Sequence, residues 1–327
     1  MSRKKGKRLR VLGLLIILLL ISLSFFYWNQ NKSRVNRFTK NNWAIGIYTG
    51  PDPFTLSSPP HIENPVLTAD DITDIKADYV ADPFMIKKDS LWYMFFEVKN
   101  SLTNHSDIGL AVSRDGFSWE YERIVLDEPF HLSYPLVFLY KDEYYMIPES
   151  AEAMQLLLYR AKQFPYSWEV EKVLIEGEFG DHVLFKHDAT WWLIANSSPY
   201  THDNTKLFFA DSLKGTWTEH PQSPIVISDA SRARPGGRVP ALDGTIYWFA
   251  QDCYPTYGRK LNAFKITELT RENYSDIPHS KNPVLQPGAY DWTRRGMHHI
   301  DAHKLPNEQW IACVDGYSRS LFIEIEY

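Results

Sequence analysis

The sequence predicts an all-β fold, a five-bladed β-propeller, preceded by one N-terminal transmembrane helix. A pattern of two short strands joined by a polar turn occurs five times, and turn tryptophans at positions 119, 168 and 217 are 49 residues apart both times. A period of about 50 residues built from short strands is typical of four-stranded propeller blades. A β-sandwich also contains many short strands, but it does not repeat a strand pair and a turn tryptophan at constant spacing.

The N-terminal segment predicts a membrane anchor. Residues 3–10 contain six Lys or Arg side chains, and residues 11–28 contain no charge and end in four aromatic residues. About 20 apolar residues span a bilayer, with aromatic residues at the interface. The run ends in bulky rather than small side chains, so we expect an uncleaved anchor, with a cleaved signal peptide as the alternative. The basic flank predicts that residues 1–10 are a cytoplasmic tail and that the propeller lies on the extracytoplasmic side of the membrane.

The rest of the chain divides into a predicted linker, residues 29–42, and the propeller, residues 43–327. Residues 1–40 hold ten of the 35 basic residues and none of the 40 acidic ones, so the remainder has a formal charge of −15. A nucleic-acid partner needs a basic surface, and this charge argues against one. Two cysteines are too few for a disulfide framework, so we expect buried free thiols, with a single bridge as the alternative.

The five repeats follow one another from residue 82 to residue 315. Each has an apolar first strand, a polar turn and a second strand that opens with aromatic side chains. The second strands begin at Trp92, Tyr144, Trp191, Tyr247 and Trp310. Ring closure requires one end of the chain to complete a blade begun by the other. The segments Trp43–Tyr48 and Leu321–Tyr327 are strand-like and lie outside the repeats, so we expect both in the last blade.

One further motif has a structural interpretation. The segment Ser113–Trp119 has the pattern of an Asp box, in which an aspartate and a serine organise a hairpin turn. We therefore expect Asp115 to support the turn rather than to take part in chemistry.

Polar residues at the starts of the first strands are the candidate site. In a propeller these strands line the central channel, and their leading ends open at one face. The positions are Asp82, Tyr134, Asp181, Arg234, His298 and His299, and the second strands end in Glu97, Glu149, Asp252 and Asp315. Carboxyl groups near the channel would have pKa values perturbed by burial and by like charges, although each alone could also cap a turn or be solvated. Glycosidic chemistry needs two carboxyl groups, one protonated and one ionised.

The segment Val80–Ile86, the paired aromatics and the five-repeat plan resemble the five-bladed propellers of family 43 glycoside hydrolases and of glycoside phosphorylases. This resemblance implies that Asp82 is a general base. It also implies that Tyr134 replaces the residue that tunes the acid, and that Asp181, one carbon shorter than the glutamate of that family, stands at the acid position. Glu149, at the end of a second strand, could substitute as the acid.

A closer resemblance is to the N-terminal domain of the glucosamine inositolphosphorylceramide transferase family. It covers nearly all of residues 43–317. The strings that carry it are Trp43–Pro51, Leu126–Pro135, Tyr145–Ser150, Ala233–Val239, Ala250–Pro255, Gly296–Asp301 and Trp310–Gly316. In that family a separate glycosyltransferase domain follows the propeller. We expect none here because the chain ends soon after the last repeat.

Basic residues from the last two repeats predict an anion site. Arg234, Arg238, His298 and His299 are expected to face the carboxylates across the channel, because arginine binds phosphate or carboxylate through paired hydrogen bonds. The alternative for the arginines is a salt bridge to Asp252 or Asp301. A metal site formed by the histidines with Asp301 is not expected, because neighbours on one strand point to opposite faces. The sequence predicts no metal and no cofactor.

These observations support two functional hypotheses. The first is a carbohydrate-active protein that cleaves or transfers a glycosyl unit, with Asp82 as base and Glu149 or Asp181 as acid. Tyr134, Arg234, Arg238, Asp252, His298, His299 and Asp301 would bind the substrate, a carbohydrate or glycolipid with an anionic group. The alternative is a non-catalytic glycan-binding module that assists a separate glycosyltransferase in glycolipid or exopolysaccharide assembly.

Overall fold

A computed structural model describes residues 16–24, 34–242 and 244–326, which fall into two compact units. One unit is Asn41–Ser318, and the other consists of the two flanking segments. The described residues form a helix over residues 16–24, twenty strands and three short 3₁₀ helices, Ala69–Asp71, Ala151–Ala153 and Asp291–Thr293. The strands are β1 (Arg34–Gly50), β2 (Ala77–Lys88), β3 (Leu91–Asn100), β4 (Ser106–Ser113), β5 (Glu120–Leu126), β6 (Ser133–Tyr140), β7 (Glu143–Glu149), β8 (Gln155–Gln163), β9 (Ser167–Glu176), β10 (His182–His187), β11 (Thr190–Asn196), β12 (Thr205–Ala210), β13 (Thr218–Glu219), β14 (Arg234–Pro235), β15 (Ala241–Leu242), β16 (Thr245–Asp252), β17 (Lys260–Leu269), β18 (Tyr274–Pro278), β19 (Ile300–Lys304) and β20 (Trp310–Glu326).

The strands form five sheets, which are the five blades of a propeller. Blades 1 to 3 are β2–β5, β6–β9 and β10–β13, each in sequence order. Blade 4 has the order β14, β16, β17, β18, with β15 also paired to β16, and blade 5 has the order β1, β20, β19. The predicted five-bladed all-β fold is confirmed.

Blade 5 contains strands from both ends of the propeller sequence, as predicted. β19 is one edge of this sheet, β20 is central and β1 is the other edge. Residues 34–42, which the sequence predicts as part of a linker, belong to β1, because pairing with β20 satisfies their backbone groups despite their polar composition. Tyr327 lies outside the described residues.

The predicted anchor, residues 11–28, is described only in part. Residues 16–24 form a helix with exposed side chains, and residues 11–15 and 25–28 lie outside the described residues. Within the part of the chain that the structure describes, no helix has the length and apolar character needed to cross a membrane.

The hydrophobic core lies between neighbouring blades, so the second strands are buried on both faces. On β3, Trp92, Met94 and Phe96 pack in one cluster with Ile45 of β1, whereas Phe95 packs in another with Tyr134 of blade 2. Alternate residues of a strand point to opposite faces, and each face of this sheet meets another blade. This explains why the repeats are nearly continuous apolar and aromatic runs rather than alternating ones.

The Asp-box segment is a turn device, as predicted. Asp115 Oδ1 accepts hydrogen bonds from the backbone N–H groups of Phe117 and Ser118, both at 2.8 Å. The Trp119 indole N–H donates to the carbonyl of Gly116 at 3.0 Å, and Trp168 donates to Pro165 in the same way at 3.0 Å. The tryptophans therefore fasten the turns between the third and fourth strands. Both cysteines are free and buried, which confirms that prediction.

Candidate functional site

Asp82, which lies inside β2 rather than at its predicted start, and Tyr134, near the start of β6, share the same backbone conformation. Both precede a proline, and both have positive φ, 51° for Asp82 and 48° for Tyr134. The strand register shifts at each position, between Ala81 and Phe84 and between Ser133 and Leu136. A positive φ is uncommon outside glycine and costs conformational energy, so the ladder is interrupted here at the residues predicted to form the site.

Tyr134 stands at the centre of the ring, where it contacts side chains or backbone from every other blade. Its ring lies edge-on to Phe84, His182 and His299, with centroids 4.8, 5.7 and 5.1 Å away, and its hydroxyl accepts the Gly237 N–H. Tyr134 has no exposed surface. The structure places this predicted substrate-binding residue in the hydrophobic packing, where it has no surface open to solvent.

Arg234 joins two of the three predicted catalytic carboxyl groups. Its Nε donates to Asp181 Oδ2 at 2.7 Å, and its Nη2 donates to Glu149 Oε2 at 2.7 Å and to Asp181 Oδ1 at 3.1 Å. Nη1 completes the set by bonding the Pro199 carbonyl and His202 Nδ1, both at 3.2 Å. All five N–H donors of the guanidinium are therefore engaged by the protein.

The expectation that Arg234 faces the carboxylates across an open channel is wrong. The guanidinium lies among them because three ionisable groups that are each at least nine-tenths buried are stable only when paired and hydrogen-bonded. Gln251, which the sequence analysis missed, also donates to Asp181 through Nε2. Gln251 pairs directly with Arg234 in the register of β14 and β16. Gln251 is a neutral amide, so it lacks the charge by which the other residues of the cluster are recognisable in the sequence.

This arrangement shifts the pKa values of Glu149 and Asp181 in opposite directions. Burial raises the pKa of Glu149 well above its usual range, and Asp181 adds to the effect, although Arg234 opposes it. Asp181 has its pKa lowered to about 2 because Arg234 and a hydrogen bond with Glu149 outweigh its own burial. Of the two carboxyl groups, Glu149 therefore binds a proton more readily than Asp181. Two neighbouring carboxyls whose pKa values are pushed apart are suited to acid–base catalysis.

Asp82 has an oxygen with no partner. The carboxyl is 3% exposed, and among the buried side-chain atoms of the described chain its Oδ1 is one of the few without a hydrogen bond. The nearest basic atoms are His298 Nε2 at 3.8 Å and His299 Nδ1 at 3.9 Å. Burial raises the pKa of Asp82, and the charges of Asp181, Glu97 and Asp315 raise it further.

Asp315 positions the two histidines. Its Oδ1 accepts from the backbone N–H groups of His298 and His299 and from His298 Nδ1 at 2.8 Å. His299 Nε2 donates to the Pro83 carbonyl at 2.9 Å, and burial lowers the His299 pKa to about 4. In both rings the nitrogen that faces away from Asp82 is therefore the one engaged in a hydrogen bond. Asp82, His298 and Asp315 offer ligand atoms within 4.8 Å of one another and could hold a cation, but the His298–Asp315 bond already satisfies two of these groups.

Arg238 and Asp301 form a separate ion pair. Arg238 Nε donates to Asp301 Oδ1 at 2.6 Å, and its Nη2 donates to the Val137 carbonyl at 2.9 Å. The Arg238 and His303 charges hold the pKa of Asp301 well below its usual range. The salt-bridge alternative is confirmed for Arg238. Asp252, another predicted ligand, accepts the Tyr254 N–H in a turn and is not brought into the cluster.

Loops that follow the second strands border the site. Residues 197–204 supply the Pro199 and His202 contacts to Arg234, and residues 253–259 supply Tyr257, whose ring centroid is 5.4 Å from the Arg234 guanidinium. The same loops expose large aromatic surfaces, since Tyr200 is 73% and Tyr254 is 70% exposed. Aromatic side chains next to a polar cluster offer flat apolar surface to a ligand.

Comparison with known proteins identifies relatives of this chain. Residues 36–317 match the family described as glucosamine inositolphosphorylceramide transferase 1, N-terminal. Glucosamine inositolphosphorylceramide transferase 1 of Oryza sativa subsp. japonica is 40% identical over 300 residues, which are 85% of this chain and 40% of the rice protein. The chain thus spans about 40% of the length of this curated relative.

Solved structures of glycoside hydrolases have the same fold. A glycosyl hydrolase from Bacteroides ovatus is similar with a TM-score of 0.60 and 11% identity, over 81% of this chain and 92% of that one. A thermostable family-43 glycoside hydrolase is similar with a TM-score of 0.52 and 16% identity, over 76% of this chain and 93% of that one. These likenesses concern the fold, and both resemblances stated from the sequence are confirmed.

Proposed function

Because this chain belongs to the family of glucosamine inositolphosphorylceramide transferase N-terminal domains, we propose that it is a carbohydrate-active propeller protein that cleaves or transfers a glycosyl unit. The observation that carries the proposal is the buried pair of Glu149 and Asp181, bonded through Arg234 and beside Asp82. Glycosidic chemistry uses one protonated and one ionised carboxyl group, and the raised pKa of Glu149 and the lowered pKa of Asp181 support such a division.

Glu149 is the better of the two predicted acids. Its raised pKa keeps a transferable proton, whereas Asp181 is ionised, without exposed surface, and bonded to Arg234 and Gln251. When Glu149 gives its proton to a leaving-group oxygen, the resulting carboxylate is stabilised by the Arg234 Nη2 bond that is already in place. Asp181 then acts as a positioning residue that holds Arg234.

Asp82 suits the role of base. Its Oδ1 has no partner in the protein, so it can accept a proton from water or from a sugar hydroxyl. Burial and neighbouring charges raise its pKa, so Asp82 binds a proton more readily than an ordinary aspartate and serves as a base only while it is ionised. Asp315 keeps the backbone of Asp82 in place by accepting its N–H at 3.1 Å.

The ligand we propose contains a sugar and an anionic group, as in a glycolipid. The name of the rice relative includes glucosamine, an inositol phosphate and ceramide, which supports this class. Because every donor of Arg234 is engaged, an anion would have to displace the weaker contacts of Nη1 to Pro199 and His202.

A second candidate is a non-catalytic glycan-binding module that assists a glycosyltransferase. The complete pairing of Arg234 favours this binding module, because a buried cluster of Arg234 with Glu149 and Asp181 can be purely structural. The rice relative is named a transferase, and this chain aligns with 40% of it.

The test is a turnover and binding screen of the purified chain with neutral and phosphorylated glycans and glycolipids. We expect Glu149→Gln to lower turnover by about 10²–10⁴-fold, the usual contribution of a general acid, while binding is retained. Glu143→Gln, at the exposed start of the same strand β7, is the control and should leave turnover unchanged. Binding without any turnover in the wild type would instead support the binding module, and neither binding nor turnover would reject both.

The location is part of the proposal. The basic residues before position 11 and the uncharged residues 11–28 support an uncleaved anchor with the propeller on the extracytoplasmic side. Protease added to intact spheroplasts that express the chain should digest the propeller. Full protection until the membrane is lysed would reject this orientation.

A further inference from the structure

A second polar cluster lies in blade 1, apart from the site described above. Asp107 is at the start of β4 and is 1% exposed. Its Oδ2 accepts a hydrogen bond from Asn100 Nδ2 at 3.2 Å, but its Oδ1 is buried without a hydrogen bond. An unpaired buried carboxylate oxygen is costly, so a group that the described protein atoms do not supply is expected at this oxygen.

His105 and Asp127 point to the nature of that group. His105 Nδ1 is 3.3 Å from Asp107 Oδ1, yet neither buried atom has a hydrogen bond, so the ring nitrogen is not aimed along a bond to the carboxylate. The Asp127 carboxyl also contacts Asp107. Ligand atoms of all three residues lie within 4.8 Å of one another. Among the ion pairs recorded for residues 34–242 and 244–326, none joins Asp107 or Asp127 to Lys or Arg.

The spacing fits two ligands of one metal ion. In a tetrahedral zinc site with metal–ligand distances of about 2.0–2.1 Å, neighbouring ligand atoms are roughly 3.3 Å apart. The His105–Asp107 separation of 3.3 Å has this value. We propose that His105 Nδ1, Asp107 Oδ1 and Asp127 bind one Zn²⁺ ion, with water completing the coordination. Calcium is less suitable, because it takes six to eight oxygen ligands and this set includes an imidazole.

The ion would fasten the connection between blades 1 and 2. Ser106 is the first residue of β4 and lies between His105 and Asp107 in the sequence. Its carbonyl accepts the Leu132 N–H at 2.9 Å, and its Oγ donates to Glu97 at 2.6 Å. The same connection brings His131 Nε2 to within 3.7 Å of Glu97. Asp127 lies at the start of this connection, and His105 and Asp107 lie on its other side. A zinc ion bound by all three residues therefore stabilises the wall of the channel that carries Glu97. This inference does not depend on the proposed function.

The experiment measures zinc binding by the full-length chain after chelator treatment. We expect one Zn²⁺ per chain, a raised unfolding temperature on adding Zn²⁺, and a tetrahedral visible spectrum when Co²⁺ replaces it. Asp107→Asn and Asp127→Asn should each weaken Zn²⁺ binding at least tenfold. Asp127 is exposed, so its variant remains informative if Asp107→Asn does not fold.

A matched control is the pair of half-buried His187 and exposed Asp188, whose Nε2 and Oδ2 atoms are 3.4 Å apart. Asp188→Asn should bind Zn²⁺ as the wild type does. The proposal is overturned if no stoichiometric Zn²⁺ binds, if both ligand variants bind it normally, or if Ca²⁺ binds in preference. Normal binding in both variants would place any zinc elsewhere in the chain.

Discussion

At the residue scale, Arg234 determines the state of the site. It is 6% exposed and makes bonds of 2.7 Å to both Asp181 and Glu149. Removing one partner of a buried ionic cluster leaves an uncompensated charge, which typically costs about 3–5 kcal/mol. We therefore predict that Arg234→Met lowers the free energy of unfolding by about this amount, measured by denaturant titration.

Arg160 provides the control for this prediction. It bonds three carboxylates, Glu143, Glu169 and Glu171, but at the protein surface. Water solvates these groups when the arginine is lost, so Arg160→Met should be far less destabilising than Arg234→Met. Equal losses for the two variants would show that burial of the Arg234 cluster has no energetic effect.

The raised pKa of Glu149 predicts a dependence of stability on pH. The folded-state pKa lies above the unfolded value of about 4.3, so the folded protein binds the extra proton. The contribution of Glu149 to stability is thus complete below about pH 4 and is lost as the pH rises through the folded-state pKa. Arg234, Asp181 and Glu97 are the charged groups that act on it.

Glu149→Gln should remove this loss. Its free energy of unfolding, measured between pH 4 and 8, is expected to rise relative to the wild type as the pH increases. Asp181, with a pKa of about 2, has the opposite sign and contributes stability that disappears as the pH falls from about 4 towards 2. A difference between variant and wild type that does not change with pH would contradict the assignment of the proton.

The sequence predicted which residues meet, but not how they pair. Asp82, Asp181, Arg234, His298 and His299 converge because repeats place the starts of the first strands at one end of the ring. Direct bonding of Arg234 to the carboxylates depends on desolvation, which a one-dimensional pattern does not record. Glu149 was recognisable only as the last residue of a second strand.

At the element scale, Gly237 controls the approach of blade 4 to blade 5. It has φ of +135° and pairs with Ile300, and an added Cβ would lie 1.7 Å from the Ile300 carbonyl oxygen. Its N–H also donates to Tyr134. Gly237→Ala should therefore lose more than about 4 kcal/mol of unfolding free energy or fail to fold.

Gly244 is the matched position for this test. It also has a positive φ, +74°, but nothing lies within 4 Å of an added Cβ. Only the backbone strain of about 1–2 kcal/mol applies to Gly244→Ala. The interpretation of Gly237 fails if both variants, compared by thermal and denaturant unfolding, are destabilised to the same extent.

Sequence patterns located most elements because each strand pair carries its own signal. The turn of Ser113–Trp119 was predictable since its hydrogen bonds are local. The start of β1 at Arg34 was not predictable, because residues 34–42 are polar and basic. They adopt the extended conformation only because they pair with a strand that is distant in the sequence. Local composition favours a linker at these positions, and tertiary pairing overrides it.

At the scale of the whole molecule, β1 closes the ring. Ile45 and Ile47 have no exposed surface and pack in one cluster with Trp92 of blade 1 and Ile311 of blade 5. Truncation of a fully buried isoleucine usually costs about 2–5 kcal/mol. We predict this loss for Ile45→Ala, with tryptophan fluorescence and far-ultraviolet circular dichroism changing together because the ring unfolds as one unit.

The control is Ile277→Ala, on the exposed outer strand of blade 4. That variant should remain within about 0.5 kcal/mol of the wild type. Separate transitions for the two signals, or equal losses for both isoleucines, would show that blade 5 does not close the ring cooperatively.

Five blades were predictable because repetition carries redundant information. Three clear repeats at residues 82, 134 and 181 set the pattern, so the two looser copies that begin at residues 234 and 298 could be recognised beside them. The zinc ligands could not be found in this way. His105, Asp107 and Asp127 belong to no repeated position, and only the fold brings the end of β5 to the start of β4.

The order in which β1 and its partner leave the ribosome has a consequence for biosynthesis. β1 ends at Gly50 and β20 begins at Trp310, which are 260 positions apart. At translation rates of roughly 5–20 residues per second, β1 waits about 13 to 52 s before its neighbour in the sheet exists. Throughout that interval its hydrogen-bonding edge is open to other chains. We expect this nascent segment to be the part of the protein that relies most on chaperones.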